Sequence, residues 1–259
     1  MSDIVALYPH PSGALALPEV RSLYTPADRS VPCLRVNFVQ SLDGSATVDG
    51  LSGSLGGPAD KLVFDTLRGV ADVVLAGAGT VRAEGYGALT TPPAHVAWRR
   101  AAGLPEHPVM ALVSGRLDLD PESALFAAAP RRPLVFTTAQ APSDARRRLE
   151  RVATVIDAGT DSVEPEAVMR ELVARGLPQV LCEGGPSLFG DFIAADGVDE
   201  FCLTMSPVLE GGSGPRIARA PGAGAPGGTA APAVPPRGLQ LAHLLHSDSV
   251  LLTRWVRPA

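Results

Sequence analysis

The chain has one lysine, Lys61, among its 22 basic residues, and no G-x-x-x-x-G-K run leads into it. A P-loop nucleotide site is excluded, because such a loop needs its lysine on the phosphates. Cysteine is scarce as well: Cys33, Cys182 and Cys202 are odd in number, have no C-x-x-C spacing and sit inside apolar runs. That pattern supports neither a disulfide framework nor a structural zinc site, and it favours the cytoplasm. No apolar run reaches the roughly 18 residues of a membrane-spanning helix. Met1 to Val20 lack both the basic start and the continuous apolar stretch of a secretory signal. The net charge is -5, and the arginines are scattered apart from Arg99-Arg100, Arg131-Arg132 and Arg146 to Arg148, which argues against a nucleic-acid surface. The five histidines, His10, His95, His107, His243 and His246, fit no catalytic or metal pattern and read as loop or surface residues. The expectation is a soluble cytoplasmic protein with a small-molecule partner, and with neither membrane nor nucleic acid involved.

What the chain does have is enough apolar material for a full core, with 46% of its 259 residues hydrophobic and 19% charged. Strand-like runs at Cys33 to Val39, Ala71 to Gly77, Val109 to Val113, Leu134 to Thr137, Val152 to Ile156 and Gln179 to Cys182 alternate with helix-like ones. The helices are expected at Pro58 to Val70, Ser143 to Arg151 and Pro165 to Arg175, the last closing at Gly176. Such alternation implies a largely parallel sheet with helices on both faces. Phe201 to Val208, Leu239 to Leu245 and Val250 to Val256 follow with no helix between them, and a hairpin turn at His246 to Ser249 joins the last two. The expected class is therefore α/β, one domain over residues 1–259, with a mixed sheet that is mostly parallel and has an antiparallel C-terminal edge. Residues 1–30 read as an N-terminal extension, and Ala218 to Pro236, mostly Gly, Ala and Pro, as a flexible insertion. Tyr86 to Leu104 reads as a long connection that either covers a site or merely crosses the surface.

Two strand ends carry glycines. The run Gln179 to Cys182 stops at Glu183-Gly184-Gly185, where Pro186 opens an apolar-periodic segment, and the run Ala71 to Ala76 stops at Gly77-Ala78-Gly79-Thr80. Free backbone N–H groups at a helix start attract anions. Either turn alone serves equally as a tight strand-to-helix connection, and the third glycine of G-x-G-x-x-G is missing. If their strands are neighbours, however, the two turns side by side would cradle an extended diphosphate at the carboxyl ends of a parallel sheet. A dinucleotide fits this better than a mononucleotide. Glu183, at the end of a buried strand, costs desolvation unless it has a partner or a job.

Around these turns stand Asn37-Phe-Val-Gln-Ser-Leu-Asp-Gly44, Asp60-Lys61 opening a helix that ends Leu67-Arg68, Ala71 to Val81, Glu183 to Leu188, and Val198-Asp-Glu200 before Leu203 and Pro207. In this order the motifs resemble the pyrimidine reductase family, the reductase half of bifunctional riboflavin-biosynthesis proteins, and come near its stand-alone actinobacterial members. The resemblance implies a dihydrofolate-reductase-like fold, a homodimer and NADPH as cofactor. It would place Gly77, Gly79, Thr80 and Glu84 along one side of that cofactor, Gly184, Gly185, Pro186, Ser187 and Leu188 on its pyrophosphate, and Ser114 near the adenosine ribose. Asp60 would hydrogen-bond an amino-pyrimidine edge, Arg68 would face a substrate phosphate or carboxylate, and Glu183 the substrate and the nicotinamide edge. Asn37, Ser52 and Ser54 would lie close to the substrate, with Asp60 and Glu183 the catalytic candidates.

Plainer roles stand beside these. Asp60 also suits a first-turn acid complementing the helix dipole, and Asp43 a turn-stabilising residue. Gly56-Gly57 stands where many family members carry bulkier, hydroxyl-bearing residues. Neither the His-x-Glu nor the Pro-Cys-x-x-Cys of a zinc deaminase is present, so a stand-alone reductase is expected. Its hydride acceptor would be a ribosylaminopyrimidine phosphate; the alternatives are dihydrofolate at its pterin imine, or a nucleotide-binding protein without turnover.

Overall fold

The computed structural model describes residues 3–212, 214–221 and 235–258, so most of the expected insertion at 218–236 lies outside the described residues. The first half of the chain runs β1 (Val5–Tyr8), α1 (Leu17–Tyr24), β2 (Cys33–Gln40), α2 (Pro58–Val70), β3 (Val73–Gly77), α3 (Ala78–Ala83) and α4 (Pro93–Ala101). Next come β4 (Val109–Val113), α5 (Ala124–Ala127), β5 (Leu134–Thr137), α6 (Ser143–Leu149) and β6 (Thr154–Asp157). The remainder is α7 (Pro165–Ala174), β7 (Gln179–Cys182), α8 (Pro186–Ala194), β8 (Glu200–Met205), β9 (Gln240–Ser247) and β10 (Val250–Val256).

One sheet takes all these strands in the order β1-β9-β10-β8-β2-β7-β3-β4-β5-β6. Every pairing from β8 to β6 is parallel, and those among β1, β9, β10 and β8 are antiparallel. The inner strands are short Val, Leu and Ala runs buried on both faces, as a parallel strand covered by helices on each side must be. On one face α2 sets Ala59, Val63, Leu67 and Val70 against Val74 and Leu112; on the other, Leu172 of α7 and Phe192 of α8 pack with Val73, Leu75 and Phe136. The expected hairpin between β9 and β10 turns on two residues, Asp248 at φ 46° and Ser249 at φ 67°. Both are left-handed, as a two-residue type I′ turn requires. Gly176 at φ 71° closes α7 as expected.

Three expectations are changed or filled in. The N-terminal extension is built into the fold over its described residues, 3–30: β1 pairs with β9, and Ile4, Val20 and Tyr24 are buried in the core. A four-residue strand and an eight-residue helix are too short to show a period, and their apolar face is completed only by elements from elsewhere in the chain. The connection from Tyr86 to Leu104 contains α4, whose Arg99 is fully buried and donates to the carbonyls of Pro105, Gly69 and Ala71. Arg99 thereby caps the last turn of α2. His95 and His243, expected as loop or surface residues, are both buried, His95 against Gly69 and His243 edge-on to Tyr24 at 4.8 Å. Burial, with Arg254 and Arg35 beside it, pushes the His243 imidazole down to about 4. No helix among the described residues is long and apolar enough to cross a membrane.

Candidate active site

The two glycine turns meet. Leu75 of β3 pairs with Cys182 of β7, and just beyond them the Gly77 N–H donates to the Gly184 carbonyl at 2.7 Å. A cleft of about 1110 Å³ opens at this carboxyl end of the parallel strands. The two turns pack tightly on each other, because a Cβ on Gly185 would stand 2.4 Å from Thr80 Oγ1, and one on Gly77 would stand 3.4 Å from the Gly185 nitrogen. The left-handed residue is Gly184, at φ 86°, where a Cβ would also strike the Phe38 ring at 2.7 Å; Gly185 has φ -76°. Glycine is needed at 184 for conformation and at 185 for space.

Pro186 is the first residue of α8, so the free N–H groups of that helix start face the same opening, with Ser187 and Leu188 beside them. Gly79, Thr80 and Ser114 also line the cleft, Ser114 held by its N–H on the Phe136 carbonyl. Gly184 itself is turned away against Phe38 and is not part of the lining. Three arginines reach this end. Arg82 is committed to Asp118, whereas Arg116 and Arg219 are exposed and have no carboxylate partner among the described residues.

The other end is built from side chains. Asp60 and Arg68, on one face of α2, both line it, together with Asn37 of β2, Ser52, Glu84 and Glu183. Arg68 does not wait for a substrate anion. Its Nε and Nη2 each lie 2.7 Å from an oxygen of Glu183, and Tyr86 Oη donates to the same carboxylate at 2.8 Å. The guanidinium also lies 4.2 Å from the Phe64 ring centre and 5.5 Å from that of Tyr86. Burial pulls Arg68 down, but Glu183 outweighs it and holds the group above its ordinary value. Arg68 and Glu183, both expected at the substrate, line the cleft closed on one another, so the buried acid has its partner in Arg68. Stripping the arginine away would leave an acid whose side chain is only 2% exposed without its cation, at a cost of about 3–5 kcal/mol.

Asp60 is different. It makes no ion pair among the described residues, and burial pushes its carboxyl up while Thr204 pulls it back. Gly56 explains why its approach is open: a Cβ there would sit 2.7 Å from Asp60 Oδ2. The next residue, Lys61, also lines the cleft, paired with Asp65 one helical turn on and 67% exposed. Such an exposed pair is worth only about 0.3–0.5 kcal/mol. Glu84 accepts the Ser52 N–H at 2.9 Å and so ties the loop bearing Ser52 to the end of α3. Ser54 is exposed and outside the lining. Asp43 is the turn residue that its plainer reading describes, drawn down to about 2 by Ser41 and by the backbone N–H groups of Gly211 and Glu210. Phe64 and Tyr86 had no signal in the sequence, since neither belongs to a motif and Tyr86 lies 97 positions from the acid it serves.

Comparison with known proteins shows what the chain is similar to. The profile of the RibD C-terminal domain matches residues 32–246. A 2,5-diamino-6-ribosylamino-4(3H)-pyrimidinone 5′-phosphate reductase of Archaeoglobus fulgidus is 29% identical over 70% of this chain and 83% of its own length. The riboflavin biosynthesis protein RibD of Mycobacterium tuberculosis is 28% identical over 70% of this chain, but over only 44% of itself. Among solved structures, a pyrimidine reductase-like protein from Corynebacterium diphtheriae has a TM-score of 0.79 at 27% identity, covering 93% of this chain and 99% of that one. The matched residues take in β2, both glycine turns and the whole of α2, and the chain belongs to the RibD C-terminal domain family.

Proposed function

We propose that the protein is an NADPH-dependent pyrimidine reductase of riboflavin biosynthesis, reducing a ribosylaminopyrimidine phosphate such as 2,5-diamino-6-ribosylamino-4(3H)-pyrimidinone 5′-phosphate. One observation carries the reading: a single cleft joins a cradle of strand-end glycines to a wall of ionisable side chains on α2. The fit of the cradle rests on Gly185, where any side chain would fill the space beside Thr80. When bound, the cofactor supplies the hydride. The chain does the remaining work. Gly77, Gly79, Thr80 and Gly185 to Leu188 hold the pyrophosphate, helped by the dipole of α8, with Glu84 further along towards the substrate end and Ser114 at the adenosine ribose, while Gly184 gives the turn its left-handed bend. Arg116, which has no carboxylate partner among the described residues, meets the 2′-phosphate. Asp60 accepts hydrogen bonds from a ring N–H and an exocyclic amine, while the closed Arg68–Glu183 pair and Tyr86 keep that wall in one geometry. Asn37 and Ser52 complete the substrate end. As the resemblance implies, the working unit is a cytoplasmic homodimer.

The relatives named above are pyrimidine reductases or riboflavin-biosynthesis proteins, which leaves the pterin alternative without support. The test is NADPH consumption by the purified protein with the diaminopyrimidine phosphate, with the product identified by mass. Reduction that proceeds at least about tenfold better with NADPH than with NADH is expected, a difference of about 1.4 kcal/mol. No consumption, or equal use of the two cofactors, contradicts the proposal.

A further inference from the structure

We infer that Lys61, rather than Arg68, takes the phosphate of the substrate, and that the Arg68–Glu183 pair reads an uncharged acceptor on the substrate ring. This rests on the pyrimidine-reductase reading and divides between two residues the task first expected of Arg68 alone. Arg68 spends two of its three nitrogens on Glu183 and is held between the Phe64 and Tyr86 rings. Its Nη1 bonds nothing among the described residues. The pair as a whole carries no net charge. A phosphate dianion brought to it would meet the Glu183 carboxylate together with the guanidinium, whereas a neutral carbonyl would meet only a fixed N–H donor.

A phosphate needs a cation that is free or cheaply freed. Five basic residues line the cleft: Lys61, Arg68, Arg82, Arg116 and Arg219. Arg82 is bound to Asp118 beside the glycine cradle; Arg116 follows β4, and the Arg219 N–H donates to the Pro186 carbonyl at the start of α8. All three therefore belong to the end assigned to the dinucleotide. Lys61 alone stands on the first turn of α2, next to the Asp60 proposed to grip the amino edge of the ring. Its pairing with Asp65 is exposed and within one helix, so it is surrendered at little cost. Lysine binds phosphate as a mobile point charge and needs no fixed fork.

The test compares the native protein, Lys61→Met and Lys61→Arg in steady-state kinetics, with the diaminopyrimidine 5′-phosphate and with the same compound after phosphatase treatment. For Lys61→Met we expect KM for the phosphate to rise about tenfold or more, with kcat changing much less and NADPH affinity retained. Lys61→Arg should recover most of that loss, and the dephosphorylated compound should be indifferent to both changes. An unchanged KM in Lys61→Met, or an equal loss with the dephosphorylated compound, overturns the assignment while leaving the pyrimidine reading in place. If the native protein reduces neither compound, the pyrimidine reading fails and the assignment fails with it.

Discussion

The two ends of the cleft are made of different materials. The cradle end is backbone: glycines at the ends of β3 and β7, brought within a 2.7 Å hydrogen bond by strand pairing, and the N–H groups that open α8. The α2 end is side chain: an arginine, a glutamate and a tyrosine closed on one another, beside one aspartate that has no cation among the described residues. A backbone site suits a ligand common to many reactions, because its donors do not vary with side-chain identity. A side-chain site holds the specificity, and its parts fail together. On the proposed function, the difference separates cofactor affinity, assigned to the glycines, from substrate recognition, assigned to α2.

The largest expected effect comes from breaking the closed pair. Arg68→Met or Glu183→Gln alone should destabilise the protein by about 3–5 kcal/mol, towards the lower figure because the Arg68 side chain keeps 19% exposure. The double variant should cost much less than the sum, so a double-mutant cycle in urea should show strong coupling. Additive losses would mean that the two residues act separately. Next, Asp60→Asn replaces an acceptor by a donor and should lower kcat/KM by tenfold or more, about 1–3 kcal/mol, with NADPH binding kept. Unchanged kcat/KM would return Asp60 to the plain role of helix-start acid.

Gly185→Val should do the reverse of Asp60→Asn. Its Cβ would press on Thr80 Oγ1, the tip of a side chain that can rotate away, so folding should survive while the phosphate space is filled. Calorimetry should show NADPH affinity down at least tenfold, about 1.4 kcal/mol, with little change in thermal stability without cofactor. A variant that loses stability yet binds normally when folded would reduce Gly185 to a turn residue. The smallest effect is expected at Arg116, which is exposed. Arg116→Ala should narrow the preference for NADPH over NADH by about 1 kcal/mol or less, roughly fivefold at most, read from titrations with both cofactors. An unaltered preference would shift the 2′-phosphate to Arg82 or Arg219.

Legibility in the sequence follows the same division. Gly77, Gly79, Gly184 and Gly185 stand in short runs beside apolar strands, so their neighbours along the chain already mark them as strand ends. The core strands and α2 were readable for the same reason, since their periods are local and their bounds are set by Pro58 and by short apolar runs. What spacing could not give is that Arg68 closes on Glu183, 115 positions away, or that Tyr86 joins them. β1, α1 and α4 were missed in a comparable way, being short elements whose burial depends on β9, α2 and the end of that helix. Local chemistry shows in a sequence; a contact between distant side chains shows only once the sheet order is known.

The central claim is that one cleft binds cofactor through backbone and recognises substrate through α2. It is tested most directly by measuring NADPH affinity and kcat/KM for the diaminopyrimidine phosphate side by side in the native protein, Gly185→Val and Asp60→Asn. The account predicts a crossed pattern: Gly185→Val loses at least about tenfold in NADPH affinity, and Asp60→Asn keeps that affinity but loses at least about tenfold in kcat/KM at saturating NADPH. Parallel losses of both quantities in both variants, or no loss in either, would contradict it.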